Sequence, residues 1–181
     1  MDSIANRYAI ALLSLAREEK SVKEYLTIAE GIVEVFEQNE DLMMLLKAFS
    51  LSKDEKKEIV EKIFLPISNR YCVNLMNVVI DNGREGYIKK IFDEFTKLCL
   101  DDLNIKRGVV YTTSMLSITN LQLLEKKVSA ILNANVTLTN KIDKSLLGGF
   151  LIKVNDYLID DSIKNRLYNL KNELMIAKGE N

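Results

Sequence analysis

Helix breakers are scarce in this chain, which has one proline and seven glycines among its 181 residues. Proline and glycine are the residues that cost most inside a helix, so their scarcity favours long helices over the turn-dense pattern of an all-β sandwich. Hydrophobic residues make up 48% of the sequence and charged residues 28%, a balance typical of a globular protein with a sizeable core. The sequence therefore predicts a mainly helical fold.

The first 105 residues keep a helical period. Ile4, Tyr8, Ala11, Leu12 and Leu15 recur at the spacing of one helix face. Signals for helix ends follow as two capping boxes, a proline and an Asn-Gly pair, located at Ser21–Glu24, Ser52–Glu55, Pro66 and Asn82–Gly83. These signals predict six helices folded on one another as a bundle, which forms a first domain of residues 1–105.

The periodicity changes after Asn104. Residues 106–113 are rich in β-branched side chains and show no helical stripe, whereas residues 119–132 return to a helical period. The alternating residues 136–142 and the stretch 149–154 are expected to form a pair of strands. Asn155–Asp156 then suits a tight hairpin turn into a short element at 157–159.

The chain is expected to end in a helix. Asp161 or Ser162 is its expected N-cap, and it should end near Ala177 with one apolar face of Ile163, Leu167, Leu170 and Leu174. Residues 106–181 therefore predict a small α+β domain with a short sheet and a terminal helix. The apolar junction Leu103–Arg107 is expected to continue the sixth helix stiffly rather than to act as a flexible linker.

Charge and cysteine usage exclude several classes of protein. Residues 1–105 carry 14 basic and 19 acidic side chains and residues 106–181 carry 11 and 7, so the net charges are −5 and +4. The basic residues are scattered rather than clustered with aromatics, which argues against nucleic-acid binding. Two cysteines 27 positions apart, without a secretory signal, fit a reducing compartment. No apolar run approaches the roughly 18 residues of a membrane span.

The residues that could support catalysis are few. The absence of histidine removes the usual general base, the Ser-His and Cys-His nucleophile pairs, and most zinc sites. Gly148–Gly149 is followed by a strand rather than a helix, so close backbone packing or a bulge is a better interpretation than a phosphate cradle. Of the adjacent carboxylates Asp160 and Asp161, one is explained by capping the next helix. We therefore expect no catalytic, cofactor or metal site.

Four blocks follow one another along the sequence, namely Ala5–Leu12, Asn74–Leu75 with Asp81–Arg84, Gly108–Val110 with Thr112–Leu116, and Ile142–Ile163. In this order they resemble the delta subunit family of F-type ATP synthases, which includes the mitochondrial oligomycin-sensitivity-conferring protein. The resemblance covers essentially the whole chain. In the third block Met115 stands where the family usually has proline, so a different bend is expected there. In the fourth block Asn155 and Asp161 replace turn glycines, and both of these residues tolerate turn backbone.

The resemblance implies a non-catalytic stator subunit of a rotary ATP synthase. The N-terminal bundle would bind the N-terminal helix of an α subunit on the α3β3 head, and the C-terminal domain would bind the b subunit of the peripheral stalk. The subunit would be a monomer within the complex, peripheral on the cytoplasmic face of the bacterial cell membrane and attached only through its partners. The resemblance places the groove between the first and fifth helices, on Tyr8, Ala11, Leu12, Leu15, Leu75, Val78 and Val79.

Two other interpretations of the sequence stay open at this stage. An unrelated helical adaptor or regulatory binding module would share the bundle, although it would not need the Gly-Gly hairpin followed by the Asp-Ser helix start. An enzyme that uses carboxylates or a metal would show a deep polar pocket with perturbed carboxylates. A further hypothesis from charge is that the positive C-terminal part steers toward acidic stretches of the stalk.

Overall fold

The structure is a computed structural model that describes the backbone of residues 3–179 and the side chains of residues 4–171. The chain divides into two units, of which the first ends at Leu103 and the second begins at Asn104. The first unit is helical and the second combines helices with a four-stranded sheet. The predicted fold class, an α bundle followed by a small α+β domain, is confirmed.

Within its described residues, 3–103, the helical unit contains six α-helices and a short 3-10 helix at Glu85–Tyr87. Their apolar faces enclose one core whose largest buried side chains include Tyr25, Phe64, Phe92 and Phe95. The rings of Phe36 and Phe64 lie 5.2 Å apart, centroid to centroid, and join α2 to α4. The helices are α1 (Ser3–Glu18), α2 (Val22–Gln38), α3 (Glu40–Lys47), α4 (Lys53–Phe64), α5 (Arg70–Asp81) and α6 (Ile88–Asp102).

The two predicted capping boxes have different outcomes. The box at Ser52–Glu55 is confirmed, because the Ser52 hydroxyl accepts from the Glu55 amide and the Glu55 carboxylate accepts from the Ser52 amide. The prediction of a box at Ser21–Glu24 is wrong, since the Ser21 hydroxyl accepts no amide of α2 and donates to the Glu19 carbonyl instead. The physical reason is the end of α1, where Lys20 adopts a left-handed φ of 54° and the Ser21 amide bonds to the Ala16 carbonyl.

The junction after α6 is not a continuation of helix, contrary to the expectation for Leu103–Arg107. The helix ends at Asp102, and Asn104 adopts a left-handed φ of 50°. The first strand begins at Ile105. Asn104 tolerates this backbone conformation better than most residues, so it ends the helix within two residues.

The second unit is built on a four-stranded sheet of order β2-β1-β3-β4. Strands β1 and β2 pair in parallel, and helix α7 makes the crossover connection that a parallel pair requires. Strand β3 pairs antiparallel with β1 on one side and with β4 on the other. The expected pairing of strands 136–142 and 149–154 is therefore wrong, since β1 lies between them. The elements are β1 (Ile105–Thr112), α7 (Ile118–Leu132), β2 (Asn135–Ile142), β3 (Phe150–Val154), β4 (Tyr157–Asp160) and α8 (Ile163–Gly179).

The core of the second unit lies between α7 and one face of the sheet. It is small and consists of Val110, Val128, Val136, Leu138, Ile152 and Val154. The predicted tight turn at Asn155–Asp156 joins β3 to β4, with Asn155 at a left-handed φ of 48°. The terminal helix begins at Ile163, and its N-cap is Ser162, whose hydroxyl accepts from the Asn165 amide.

Candidate partner-binding surfaces

The seven residues that the sequence places in the groove fall into two groups. Tyr8, Leu15 and Leu75 are half-buried, and Ala11 is exposed, as is Val78 at 48%. Leu12 and Val79 are only 3% and 1% exposed and belong to the core of the bundle. The structure therefore leaves five of the seven side chains accessible and places two beneath them.

The accessible residues lie along the flank of two neighbouring helices. On α1, which packs against α5, Tyr8, Ala11 and Leu15 are spaced three and four residues apart and so share one flank. On α5 the same spacing relates Leu75 to Val78, and it extends back to Tyr71, which is also exposed. We call these six residues the α1–α5 seam.

The sequence did not single out Tyr71, and it pointed to Arg84 only as the last residue of the Asp81–Arg84 block and of the helix stop, not as a residue of the groove. A search of α5 for apolar residues four positions before Leu75 would have found Tyr71, which continues the exposed stripe by one turn. Arg84 lies beyond the end of α5, where no helical period points to it. Its Nη1 donates to the Tyr8 hydroxyl at 3.2 Å and thereby links α1 to the segment that follows α5.

The backbone that carries Arg84 is held by the end of α5. Gly83 adopts a φ of 64°, the Gly83 amide bonds to the Ile80 carbonyl, and the Arg84 amide bonds to the Val79 carbonyl at 3.0 Å. These are the two hydrogen bonds of a Schellman motif. The predicted helix stop at Asn82–Gly83 thus also fixes one end of the α1–α5 seam.

The next residue, Glu85, attaches the same segment to α4. Its carboxylate binds the ammonium of Lys56, which is buried. Burial opposes ionisation of Glu85 and is the largest single effect, but the hydrogen bonds to its carboxylate and the charges of Lys56 and Lys53 together outweigh it and leave the pKa of Glu85 below its usual value. Removing either partner would leave a buried charge without its counterpart.

The two cysteines belong to the core below this surface. Cys72 and Cys99 are fully buried on α5 and α6. Burial raises the pKa of each thiol to about 12, so neither forms a thiolate at neutral pH. They act in this fold as small apolar side chains.

The glycine pair and the two carboxylates of the α+β unit are structural. A Cβ on Gly149, whose φ is 81°, would lie 2.3 Å from the Asp161 carbonyl oxygen. Asp160 accepts from the Ser162 amide, and Asp161 binds the guanidinium of Arg166 through two hydrogen bonds. The close backbone packing expected at Gly148–Gly149 is confirmed, and it brings the start of β3 against the start of α8.

Helix α8 presents apolar side chains to solvent over its first turns. Leu167, Tyr168 and Leu170 are each more than half exposed. The expected apolar face of this helix also included Leu174, which lies outside the described side chains. The exposed residues form no core with the sheet, which makes α8 a second candidate surface for a partner.

Neither a metal cluster nor a membrane-spanning helix occurs in the part of the chain that the structure describes. No group of three or more Cys, Asp or Glu side chains there is placed to hold a metal ion. No described helix is both long enough and apolar enough to cross a bilayer.

Comparison with known proteins assigns the family. The family model described as ATP synthase delta (OSCP) subunit matches residues 4–174, which is nearly the whole chain. This chain belongs to the ATP synthase delta (OSCP) subunit family. The resemblance seen in the four sequence blocks is therefore confirmed.

Relatives in this family match over almost their full length. The ATP synthase subunit delta of Mycoplasma capricolum subsp. capricolum is 35% identical over 177 residues, which cover 96% of this chain and 97% of that protein. The ATP synthase subunit delta of Clostridioides difficile is 35% identical over 172 residues, covering 94% and 95%. Family membership makes this chain a delta-type subunit of an F1Fo ATP synthase and a component of its stator.

A solved structure shares the fold at low sequence identity. One chain of the cryo-EM structure of the Toxoplasma gondii mitochondrial ATP synthase hexamer superposes with a TM-score of 0.65 and 14% identity. The superposition covers 96% of this chain and 98% of that one. It shows that the same arrangement of elements persists where the sequences have diverged.

Proposed function

We propose that this delta-type subunit is a non-catalytic connector that joins the α3β3 head of its ATP synthase to the peripheral stalk. Its helical unit binds the N-terminal helix of an α subunit in the α1–α5 seam, and its α+β unit binds the b subunit. The observation that carries the proposal is the seam itself, a row of accessible apolar side chains on two packed helices of a family member. A seam of this kind suits an amphipathic guest helix with apolar anchors.

Residue size along the seam fits a helical guest. Ala11 has a small side chain between Tyr8 and Leu15, so a guest backbone can approach α1 closely at this point. Tyr71, Leu75 and Val78 supply the opposite wall over about two turns. Leu12 and Val79 contribute from below by keeping the two helices together, because they are part of the core.

Tight binding is what a stator requires. The rotor would drag the head round unless contacts outside the catalytic machinery resist the torque. A nanomolar contact corresponds to about 12 kcal/mol. Each large apolar side chain that becomes fully buried contributes about 1.5–3 kcal/mol, and only the surplus over the entropic cost of association appears as affinity, so tight binding requires several anchors on both helices.

The α+β unit is the proposed site for the b subunit. Its helix α8 exposes Leu167, Tyr168 and Leu170 without an internal partner among the described residues. Residues 106–181 carry a net charge of +4, and we propose that this charge steers the unit toward acidic stretches of the stalk. Affinity for the soluble part of the b subunit should then fall as salt rises, because screening shortens the reach of the charges.

The location follows from these partners. The chain would act as a monomer within the complex, on the cytoplasmic face of a bacterial cell membrane, and would be held there only through the complex. Washing membranes under conditions that release the head should therefore release this subunit with it. Recovery of the subunit apart from both head and membrane would contradict this location.

Calorimetry tests the proposed groove directly. The full chain is titrated with a synthetic peptide of the α-subunit N-terminus from the same enzyme, and we expect tight one-to-one binding. Val78→Asp should weaken it by about 2–4 kcal/mol, because a carboxylate would enter a desolvated groove. Ile10→Asp is the matched control, since Ile10 is also 48% exposed but lies on the other flank of α1.

The control separates a groove effect from a folding effect. Both substitutions place an aspartate on an exposed helical position, so both should leave the circular dichroism of the bundle unchanged. Equal weakening by the two variants, or loss of the bundle in Val78→Asp, would contradict the assignment of the seam. Absence of peptide binding by the wild-type chain would contradict the proposed contact between this subunit and the α-subunit N-terminus.

A further inference from the structure

We infer that Arg84 is an ionic anchor of the α1–α5 seam, which selects a guest helix carrying a carboxylate next to its apolar anchors. The inference rests on the proposed function, because it concerns the partner that the same seam binds. It adds a polar requirement to a surface otherwise described by apolar side chains.

The position of Arg84 is the first observation. Its guanidinium donates to the hydroxyl of Tyr8, which is itself a seam residue, at 3.2 Å. The cation therefore lies at the end of the seam where α1 begins and α5 ends. A guest helix that covers Tyr8 brings its neighbouring side chains within reach of Arg84.

The unused bonding capacity of Arg84 is the second observation. A guanidinium has five N–H donors, and the side-chain hydrogen bond of Arg84 uses one of them, toward the neutral hydroxyl of Tyr8. Among the residues that the structure describes, Arg84 forms no ion pair, and the adjacent carboxylate of Glu85 is bound to Lys56. The remaining donors suit a carboxylate, which an arginine fork binds through two parallel hydrogen bonds.

The third observation is that the backbone carrying Arg84 is held rigidly. The backbone of Arg84 is fixed on one side by the Schellman motif at Gly83 and on the other by the ion pair of Glu85 with Lys56. Arg84 itself is half-buried. A charge held in place and partly removed from water loses less entropy on pairing than a free surface side chain does, so it discriminates better between guests.

The test is a double-mutant cycle by calorimetry with the full chain. The probe is the synthetic peptide of the α-subunit N-terminus, together with variants in which each Asp or Glu is changed in turn to its amide. One amide variant should bind the wild-type chain about tenfold more weakly, the range of a partly buried charged hydrogen bond. Arg84→Gln should weaken the parent peptide by a similar factor and should bind that amide variant no worse than the parent.

Two further variants separate pairing with the guest from support of Tyr8. Tyr8→Phe removes the hydroxyl that accepts from Arg84, and its effect should be additive with the amide substitution. Arg84→Lys keeps the charge without the fork, so it should retain part of the coupling. Circular dichroism and thermal unfolding check that all variants keep the bundle.

Several results would overturn the inference. One is that Arg84→Gln binds the parent peptide as tightly as the wild type does, and another is that it weakens every peptide by the same factor. A third is that Tyr8→Phe abolishes the coupling as fully as Arg84→Gln, which would make Arg84 only a support for Tyr8. If the wild-type chain binds no peptide at all, the proposed function fails and this inference with it.

Discussion

The helical unit and the α+β unit of this chain are stabilised by different means. Among the described residues, the helical unit buries 25 side chains in one core, whereas the α+β unit buries six. The smaller unit relies more on backbone fit, as at Gly149 and at the left-handed Asn133 and Asn155. The chain thus combines a bundle that has a large core of its own with a unit whose terminal helix still exposes apolar side chains.

The largest expected effect tests the core of the helical unit. Phe64→Ala should lower the free energy of unfolding by about 3–5 kcal/mol, because it removes a buried ring and leaves a cavity beside Phe36. Phe49 is fully exposed, so Phe49→Ala should change stability by less than about 0.5 kcal/mol. Urea denaturation followed by circular dichroism measures both. Similar values for the two variants would mean that the core is not where the structure places it.

A smaller effect tests the backbone fit of the α+β unit. Gly149→Ala should destabilise this unit by about 1–3 kcal/mol, because φ is 81° and the new Cβ would meet the Asp161 carbonyl oxygen. Gly31→Ala, inside α2 with nothing within 4 Å of the new Cβ, should stabilise the helical unit by about 0.5–1 kcal/mol. Hydrogen exchange resolved by unit is the measurement. Unchanged exchange in the α+β unit of Gly149→Ala would refute the close approach.

The next effect compares two serines that the sequence treats alike. Ser52→Ala should cost about 1 kcal/mol, because it removes the side-chain half of a capping box. Ser21→Ala should cost clearly less, since the Ser21 hydroxyl accepts no amide of α2. Denaturant midpoints of the two variants give the difference. Equal losses of stability in the two variants would indicate a capping box at Ser21, which the structure does not contain.

The smallest effect concerns pH and the start of α8. The hydrogen bond from Arg166 lowers the pKa of Asp161 below its ordinary value of 3.8. A carboxyl with a lowered folded-state pKa stabilises the fold above its unfolded pKa, and the contribution disappears as pH falls through the folded pKa. Asp161→Asn and Arg166→Gln should therefore both reduce the dependence of α8 hydrogen exchange on pH below about pH 4. An unaltered dependence in both variants would show that this pair does not hold the helix start.

The sequence predicts most of the helical unit because its signals are local. The stripe from Ile4 to Leu15 and the capping box at Ser52 depend on residues a few positions apart, and both are found in the structure. The capping box predicted at Ser21 does not form, because the Ser21 amide is already hydrogen-bonded to the Ala16 carbonyl at the end of α1. A capping pattern alone does not reveal this bond. The predicted pairing of β2 with β3 is wrong for a related reason. The placement of β1 between these two strands depends on contacts between residues distant in sequence.

The candidate site was only partly readable from the sequence. Val78 and Val79 are adjacent valines on one helix, yet one is exposed and the other belongs to the core. The helical period assigns them to different faces only once the inward direction of α5 is known. Arg84 closes a block that the sequence identified, but its contact with Tyr8 needed the structure, because it joins residues 76 positions apart.

The central claim is that one chain holds two partners at once on two separate units. Analytical ultracentrifugation of the full chain with the α-subunit N-terminal peptide and the soluble part of the b subunit tests it most directly. We expect a complex containing all three components, from which Val78→Asp removes the peptide but not the b subunit. Mutual exclusion of the two partners, or loss of both in a folded Val78→Asp chain, would contradict the claim.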